Sequence, residues 1–135
     1  MNRVRTLLTG AALTGAAAAT LTAGVLAAPA QAAPQGKVDP GIGFFSIHHG
    51  TGCSYSMTMN VNASGVVSFY DAGRGHKTRL IGRDVAQGGQ AAVTWTPRWQ
   101  GLHRIYAVQN GEKSQVRWVR VTQGYGSGGA CIAFP

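Results

Sequence analysis

Acidic side chains are scarce in this chain: Asp39, Asp71, Asp84 and Glu112 are the only four among 135 residues. Scattered singly, they argue against a glycosidase, which needs two carboxylates flanking one bond. Catalytic motifs are missing as well. There is no His-Glu-x-x-His run and no glycine-rich phosphate loop ending in Lys-Ser/Thr. The near-miss Gly124-Tyr-Gly-Ser-Gly128 has no helix after it, so it is not the nucleophile elbow of an α/β hydrolase. His48-His49, Cys53 and His76 make a zinc set only on paper. Adjacent strand residues point to opposite faces, and Cys53 has a better use, so the His pair reads as a polar turn. No enzyme activity, cofactor or metal is expected.

Cysteine is scarcer still, and its two copies, Cys53 and Cys131, allow one intramolecular disulfide. The N-terminus makes that disulfide the default. Arg3 and Arg5 form a positive n-region, residues 7–26 carry no charge, and 27–34 read Ala-Ala-Pro-Ala-Gln-Ala-Ala-Pro. This is the layout of a cleavable secretory signal peptide, with cleavage after Ala30 or Ala32. The competing reading is a retained membrane anchor, since the uncharged run is long enough to span. Thr, Gly and Ala dilute it and it leads into a cleavage-like site, so residues 1–32 are assigned to a signal, with no transmembrane segment after cleavage. Lipid attachment is disfavoured because no Cys lies nearby, and twin-arginine export because Val4 separates the arginines. Export favours an oxidised pair. By chain entropy alone, closing so long a loop stabilises by roughly 4–5 kcal/mol.

What remains is about one domain's worth of chain. Residues 33–41 read as a flexible lead and 42–135 as the domain. Helical periodicity is absent there. Short apolar runs alternate with turns rich in glycine, which tolerates positive φ. Strands are predicted at 42–47, 53–61, 66–70, 78–85, 91–96, 102–109, 114–123 and 131–134. In the second, Tyr55, Met57, Met59 and Val61 alternate with polar residues, the period of a half-buried strand. Pro97 ends the fifth, and Asn110-Gly111 between two strand-like runs is a strong hairpin signal. Seven to eight short strands at this spacing give an all-β sandwich or barrel, of which the sandwich is favoured. The disulfide would tie the second strand to the last and pin the C-terminus.

The series Gly65-Val-Val-Ser-Phe-Tyr-Asp71, Leu80-Ile-Gly82, Gly89-Gln-Ala-Ala-Val-Thr-Trp95 and Gly101-Leu-His-Arg-Ile-Tyr-Ala-Val108 resembles the bacterial immunoglobulin-like repeat domains of secreted and cell-surface proteins. The likeness covers about residues 54–121. It implies an immunoglobulin-like sandwich in a spacer, adhesin or carbohydrate-associated role. It also implies a structural His103 whose ring fixes the preceding loop by hydrogen bonding. Two features depart from the family: the domain stands as a single copy, and it carries cysteines.

Positive charge is what the sequence has in excess. Ten Lys and Arg against four acids leave the exported part at +6, from +8 for the whole chain. One group (Arg74, His76, Lys77, Arg79, Arg83) lies between the third and fourth strands; a second comprises Arg98, Arg104, Lys113, Arg117 and Arg120. Arg104 and Arg120 share strand-like runs with Tyr106 and Trp118. Arg74, Arg79, Arg104, Tyr106, Arg117, Trp118 and Arg120 are therefore the candidate binding surface. The plainer reading is that the charge solubilises an outer face while the aromatics are core. An Arg-aromatic face suits an envelope polymer or anionic lipid, and equally an extracellular protein. Export argues against nucleic acid as the partner. The functional expectation is a secreted, non-enzymatic immunoglobulin-like interaction or structural module. The alternatives are a cationic envelope-binding effector and an enzyme inhibitor presenting the Gly124–Gly129 loop.

Overall fold

The computed structural model describes residues 31–43 and 47–135. The signal-peptide assignment lies outside the described residues except at its last positions, and so does the middle of the strand expected at 42–47.

Among the described residues all regular structure is β. The strands are β1 (His49–Gly50), β2 (Tyr55–Asn60), β3 (Gly65–Gly73), β4 (Arg79–Ala86), β5 (Gln90–Trp95), β6 (Gly101–Gln109), β7 (Glu112–Lys113), β8 (Arg117–Thr122), β9 (Gly124–Ser127) and β10 (Ala130–Ala133). They form a larger sheet in the order β1-β8-β6-β3-β4, with β7 on β6, a β2-β5 pair and a β9-β10 hairpin. All pairings are antiparallel except β1 with β8.

Alternation decides what each layer buries. In β2, Tyr55, Met57 and Met59 are buried and Ser56 and Asn60 exposed. Across the pair, Trp95 and Ala91 of β5 stand opposite Tyr55 and Met59. From the larger sheet come Val67 and Phe69 of β3, Ile105 and Ala107 of β6, and Val119 and Val121 of β8. All join one hydrophobic cluster, so the two sheets pack face to face. Burying a large apolar side chain contributes about 1.5–3 kcal/mol. The opposite face of the larger sheet is left to solvent.

The Asn110-Gly111 hairpin forms as expected. Asn110 has φ 50° and Gly111 φ 80°, two consecutive left-handed residues, as a type I′ turn between antiparallel strands requires. The disulfide forms as well. Cys53 and Cys131 have Cα atoms 5.3 Å apart across a sequence separation of 78. It fastens the β9-β10 hairpin to the start of β2, beside the Ser54 N–H to Gly128 carbonyl bond of 2.8 Å.

Four expectations are corrected. Ile42 and Gly43 lie in no strand; among the described residues the first strand is β1 at His49, paired with Val121 of β8. Ile42 and Ile47 are both exposed, so their hydrophobicity did not mark a core strand. The lead at 33–41 runs along the domain: Val38 is fully buried, and Pro34 and Asp39 bridge to Val61 and Thr58. One apolar side chain and backbone pairing to the edge of β2 hold it, and neither leaves a periodic signal. The strand expected at 114–123 starts at Arg117, because Ser114 is buried and turns its hydroxyl to the Ala107 N–H. Finally, residues 124–129 are not an irregular loop. They are β9 and its turn, with Gly126 opposite Cys131. A Cβ on Gly124 would strike the Thr51 carbonyl oxygen, so this glycine is needed for close packing of the hairpin.

Candidate functional site

The outward face of the larger sheet is set by register. On β6, His103, Ile105 and Ala107 are fully buried, so Leu102, Arg104, Tyr106 and Val108 face out. Opposite them on β8, Arg120 pairs with Leu102 and Trp118 with Arg104. On β3, Tyr70 pairs with Tyr106, their rings stacked at 5.3 Å. Lys113 of β7 stands opposite Val108 and places its Nζ 3.8 Å from the Tyr106 ring centroid. Arg104 lies over Trp118 at 5.8 Å. Both are cation–π contacts between a guanidinium or ammonium and the negative face of a ring.

Next to this strip the β3–β4 turn adds Arg74 and His76. A concavity of about 520 Å³ opens between Arg74, His76, Leu102, Arg104 and Trp118. A second, of about 360 Å³, lies between Arg74, Leu102, Trp99, Gln100 and Arg120. Arg74 and Leu102 line both, so the two concavities adjoin and together are termed the groove. Trp118 is 55% and Leu102 42% exposed, well beyond ordinary core positions. None of the four acids reaches this face. Asp71 is fully buried. The Asp84 carboxylate accepts the Ala92 N–H, Glu112 stands opposite the inward Gln109, and Asp39 caps the Gly41 N–H. The groove is cationic and uncompensated.

A buried polar network supports one wall. His103 Nδ1 meets both Asp71 carboxylate oxygens at 2.8 and 2.9 Å, and Trp95 Nε1 donates to Asp71 Oδ2 at 3.1 Å. His103 Nε2 donates to the Trp99 carbonyl at 3.0 Å. Both ring nitrogens therefore face acceptors. The Trp99 indole stacks on His103 at 4.8 Å, and His76 stacks on its other side at 4.3 Å. Gly73 lies beneath, where a Cβ would collide with Trp99 Nε1. The 97–100 loop is thus anchored by hydrogen bond and by ring stacking. Asp71 and His103 look like two members of a catalytic triad, but both are fully buried and the second His nitrogen is occupied by a main-chain carbonyl. The pair positions the loop.

Of the seven residues expected to form a binding surface, Arg74, Arg104, Trp118 and Arg120 line the groove, and Tyr106 lies beside it on the same face. Arg79 and Arg117 do not. Arg117 pairs with the inward Ile105, and its Nε donates to the Val38 carbonyl at 3.2 Å. Arg79 stands across from the buried Asp71, with its own Nε buried. The period-two rule already separates Arg117 from Trp118. Arg79 is placed by a register shift in the β3–β4 pair after Phe69, which the sequence does not display. Leu102 and Trp99 are not among the seven: in sequence Leu102 reads only as the start of a strand, and Trp99 is not singled out. The histidines of the paper zinc set are dispersed. His49 Nε2 donates to the Gly41 carbonyl at 2.8 Å, and Cys53 is in the disulfide. No cluster of three metal-ligating side chains exists among the described residues.

No protein-family model matches the chain, and no curated protein matches it. Among solved structures, a β-glucosidase from Listeria innocua in complex with glucose is similar at 16% identity and a TM-score of 0.41. The likeness covers 70% of this chain and 16% of the glucosidase chain. At that level of similarity neither fold nor chemistry transfers.

Proposed function

We propose that this protein is a secreted, non-enzymatic, immunoglobulin-like interaction module of the cell envelope or extracellular space, which binds an anionic envelope polymer through the groove of its larger sheet. The observation that carries the reading is the convergence of Arg74, Arg104 and Arg120 around Trp118 and Leu102 on a face without acids. Electrostatic focusing by such a cleft raises the local concentration of an anionic partner. An immunoglobulin-like topology is supported by the sheet order β1-β8-β6-β3-β4 over a β2-β5 pair, with β1 parallel to β8. Secretion is supported by the signal-like N-terminus and by the disulfide, a bond that persists in oxidising compartments.

The test is co-sedimentation of the exported form with isolated envelope polymer across salt from about 0.01 M to about 1 M, where the Debye length falls from about 30 Å to about 3 Å. Binding should weaken steeply, with a log–log slope of about −2 to −3 if three arginines each displace a counterion. Replacing Arg74, Arg104 and Arg120 together by Gln should abolish it. Binding that ignores both salt and the triple replacement would overturn the proposal. Capture of an extracellular protein in place of polymer, through the same residues, would replace the polymer with a protein partner.

A further inference from the structure

The groove combines two chemistries that a simple polyanion does not need together. Arg74, Arg104 and Arg120 supply charge. Trp118 and Leu102 supply apolar surface that remains open to solvent. An inorganic anion would be satisfied by guanidiniums alone, because each offers a planar fork of donors to carboxylate or phosphate oxygens. Nothing in such an anion would cover an exposed indole.

We infer that the ligand is an acidic saccharide: a short glycan segment whose ring stacks on Trp118 while its carboxylate or phosphate ester pairs with Arg74, Arg104 or Arg120. This rests on the function proposed above and names the substrate class for the same groove. The axial C–H bonds of a sugar ring present a flat, slightly positive apolar face, which complements the negative face of an indole. Arg104 lies over one face of the Trp118 ring at 5.8 Å from its centroid, so a sugar stacked on the indole's other face or edge has this guanidinium within reach of its acidic group. The groove's form fits an oligomer better than a single ring. Beyond Leu102 and Arg74 lies the adjoining second concavity, where Arg120 and Gln100 offer a further charge and a polar amide beside Trp99. Gln100 Nε2 donates a hydrogen bond to Gln123 Oε1 at 2.9 Å. Each concavity falls in the range of about 300–1,000 Å³ common for small-ligand sites.

The experiment measures binding of the intact, disulfide-bonded protein by calorimetry and tryptophan fluorescence against four probes. They are a uronic-acid trisaccharide, a phosphorylated trisaccharide, a neutral trisaccharide of the same length and a short polyphosphate. Binding of either acidic trisaccharide, at least tenfold tighter than the neutral one, is expected, and the better of the two identifies whether the acid is carboxylate or phosphate. Trp118→Ala should weaken that binding about tenfold, the scale of an exposed tryptophan anchor, while polyphosphate binding stays within about twofold. Trp118→Phe should restore most of the loss. If polyphosphate binds as well as the acidic trisaccharides and Trp118→Ala changes nothing, the saccharide inference fails and the anionic groove stands. If the neutral trisaccharide binds as tightly as the acidic ones, the acidic requirement fails. If no anionic probe binds at low salt, both the inference and the reading beneath it fail.

Discussion

Asp71 accepts hydrogen bonds from His103 Nδ1 and Trp95 Nε1 in a site with no access to water. Asp71→Ala would leave two buried N–H donors facing a void. Removing the acceptor of a buried hydrogen-bonded network costs about 3–5 kcal/mol when the acceptor is a carboxylate, a large share of the roughly 5–15 kcal/mol that holds a domain folded. At about 4–8 °C per kcal/mol for a domain of this size, the melting temperature should fall by roughly 12–40 °C. Asp71→Asn makes the reasoning sharper. Its carbonyl oxygen can accept from Trp95 Nε1 while its amide donates to His103 Nδ1, provided the ring keeps its proton on Nε2 for the Trp99 carbonyl. Every group is then satisfied without charge, and the cost should be about 1–2 kcal/mol, the scale of a neutral hydrogen bond replacing a charge-assisted one. Paired thermal and urea denaturation of the two variants is the assay. If Asp71→Ala costs under about 1 kcal/mol, or if Asn is as damaging as Ala, the network does not hold the fold in the way described.

Three other outcomes follow from the same structure. Reducing the Cys53–Cys131 bond, or replacing both cysteines by Ser, should lower stability by about 2–5 kcal/mol, and hydrogen exchange should show β9 and β10 losing protection first; uniform loss would refute the clamp. Burial against Tyr55 and Trp95 pushes the His49 imidazole below its ordinary value, with the Gly41 carbonyl and Asp39 opposing and His48 adding to the shift. Between the lowered folded value and the ordinary one the unfolded chain binds more protons, so stability is full above about pH 6.5 and falls as pH drops through that window; His49→Gln should flatten this part of a melting-versus-pH curve, and parallel curves would contradict it. Gly73→Ala should cost about 1–3 kcal/mol by overpacking and shift the fluorescence of Trp99, whereas an unchanged spectrum would show that the indole does not rest on that glycine.

Much of the framework was legible because it depends on local periodicity. Tyr55, Met57 and Met59 bury because they alternate with polar neighbours, and Val67, Phe69, Trp95, Ile105 and Ala107 do the same. The same rule separates Trp118 and Arg120 from Arg117, although charge clustering alone had grouped them. Asn110-Gly111 declared its hairpin because few residue pairs tolerate two left-handed conformations in succession. The β9 strand was hidden because Gly-Tyr-Gly-Ser has the composition of a loop, and only pairing with β10 under the disulfide makes it a strand. Val38 was hidden because one apolar residue has no period.

Two cysteines, an export-like N-terminus, period-two strands and an excess of arginine therefore settle from sequence alone that this is a small, basic all-β domain with one disulfide. That follows because strand faces, turn conformations and charge are properties of residues and their near neighbours. The groove belongs to the tertiary structure. Arg74, Trp99, Leu102, Arg104, Trp118 and Arg120 come from a turn, a loop and two strands, and long-range register alone brings them together. The acids share that dependence. All four lie within residues 33–135, yet the pairing of β3, β4 and β6 turns Asp71 inward, Asp84 and Asp39 accept main-chain N–H groups elsewhere, and Glu112 stands opposite the inward Gln109. Charge is counted along a chain, but a site is made by where that charge is left uncancelled.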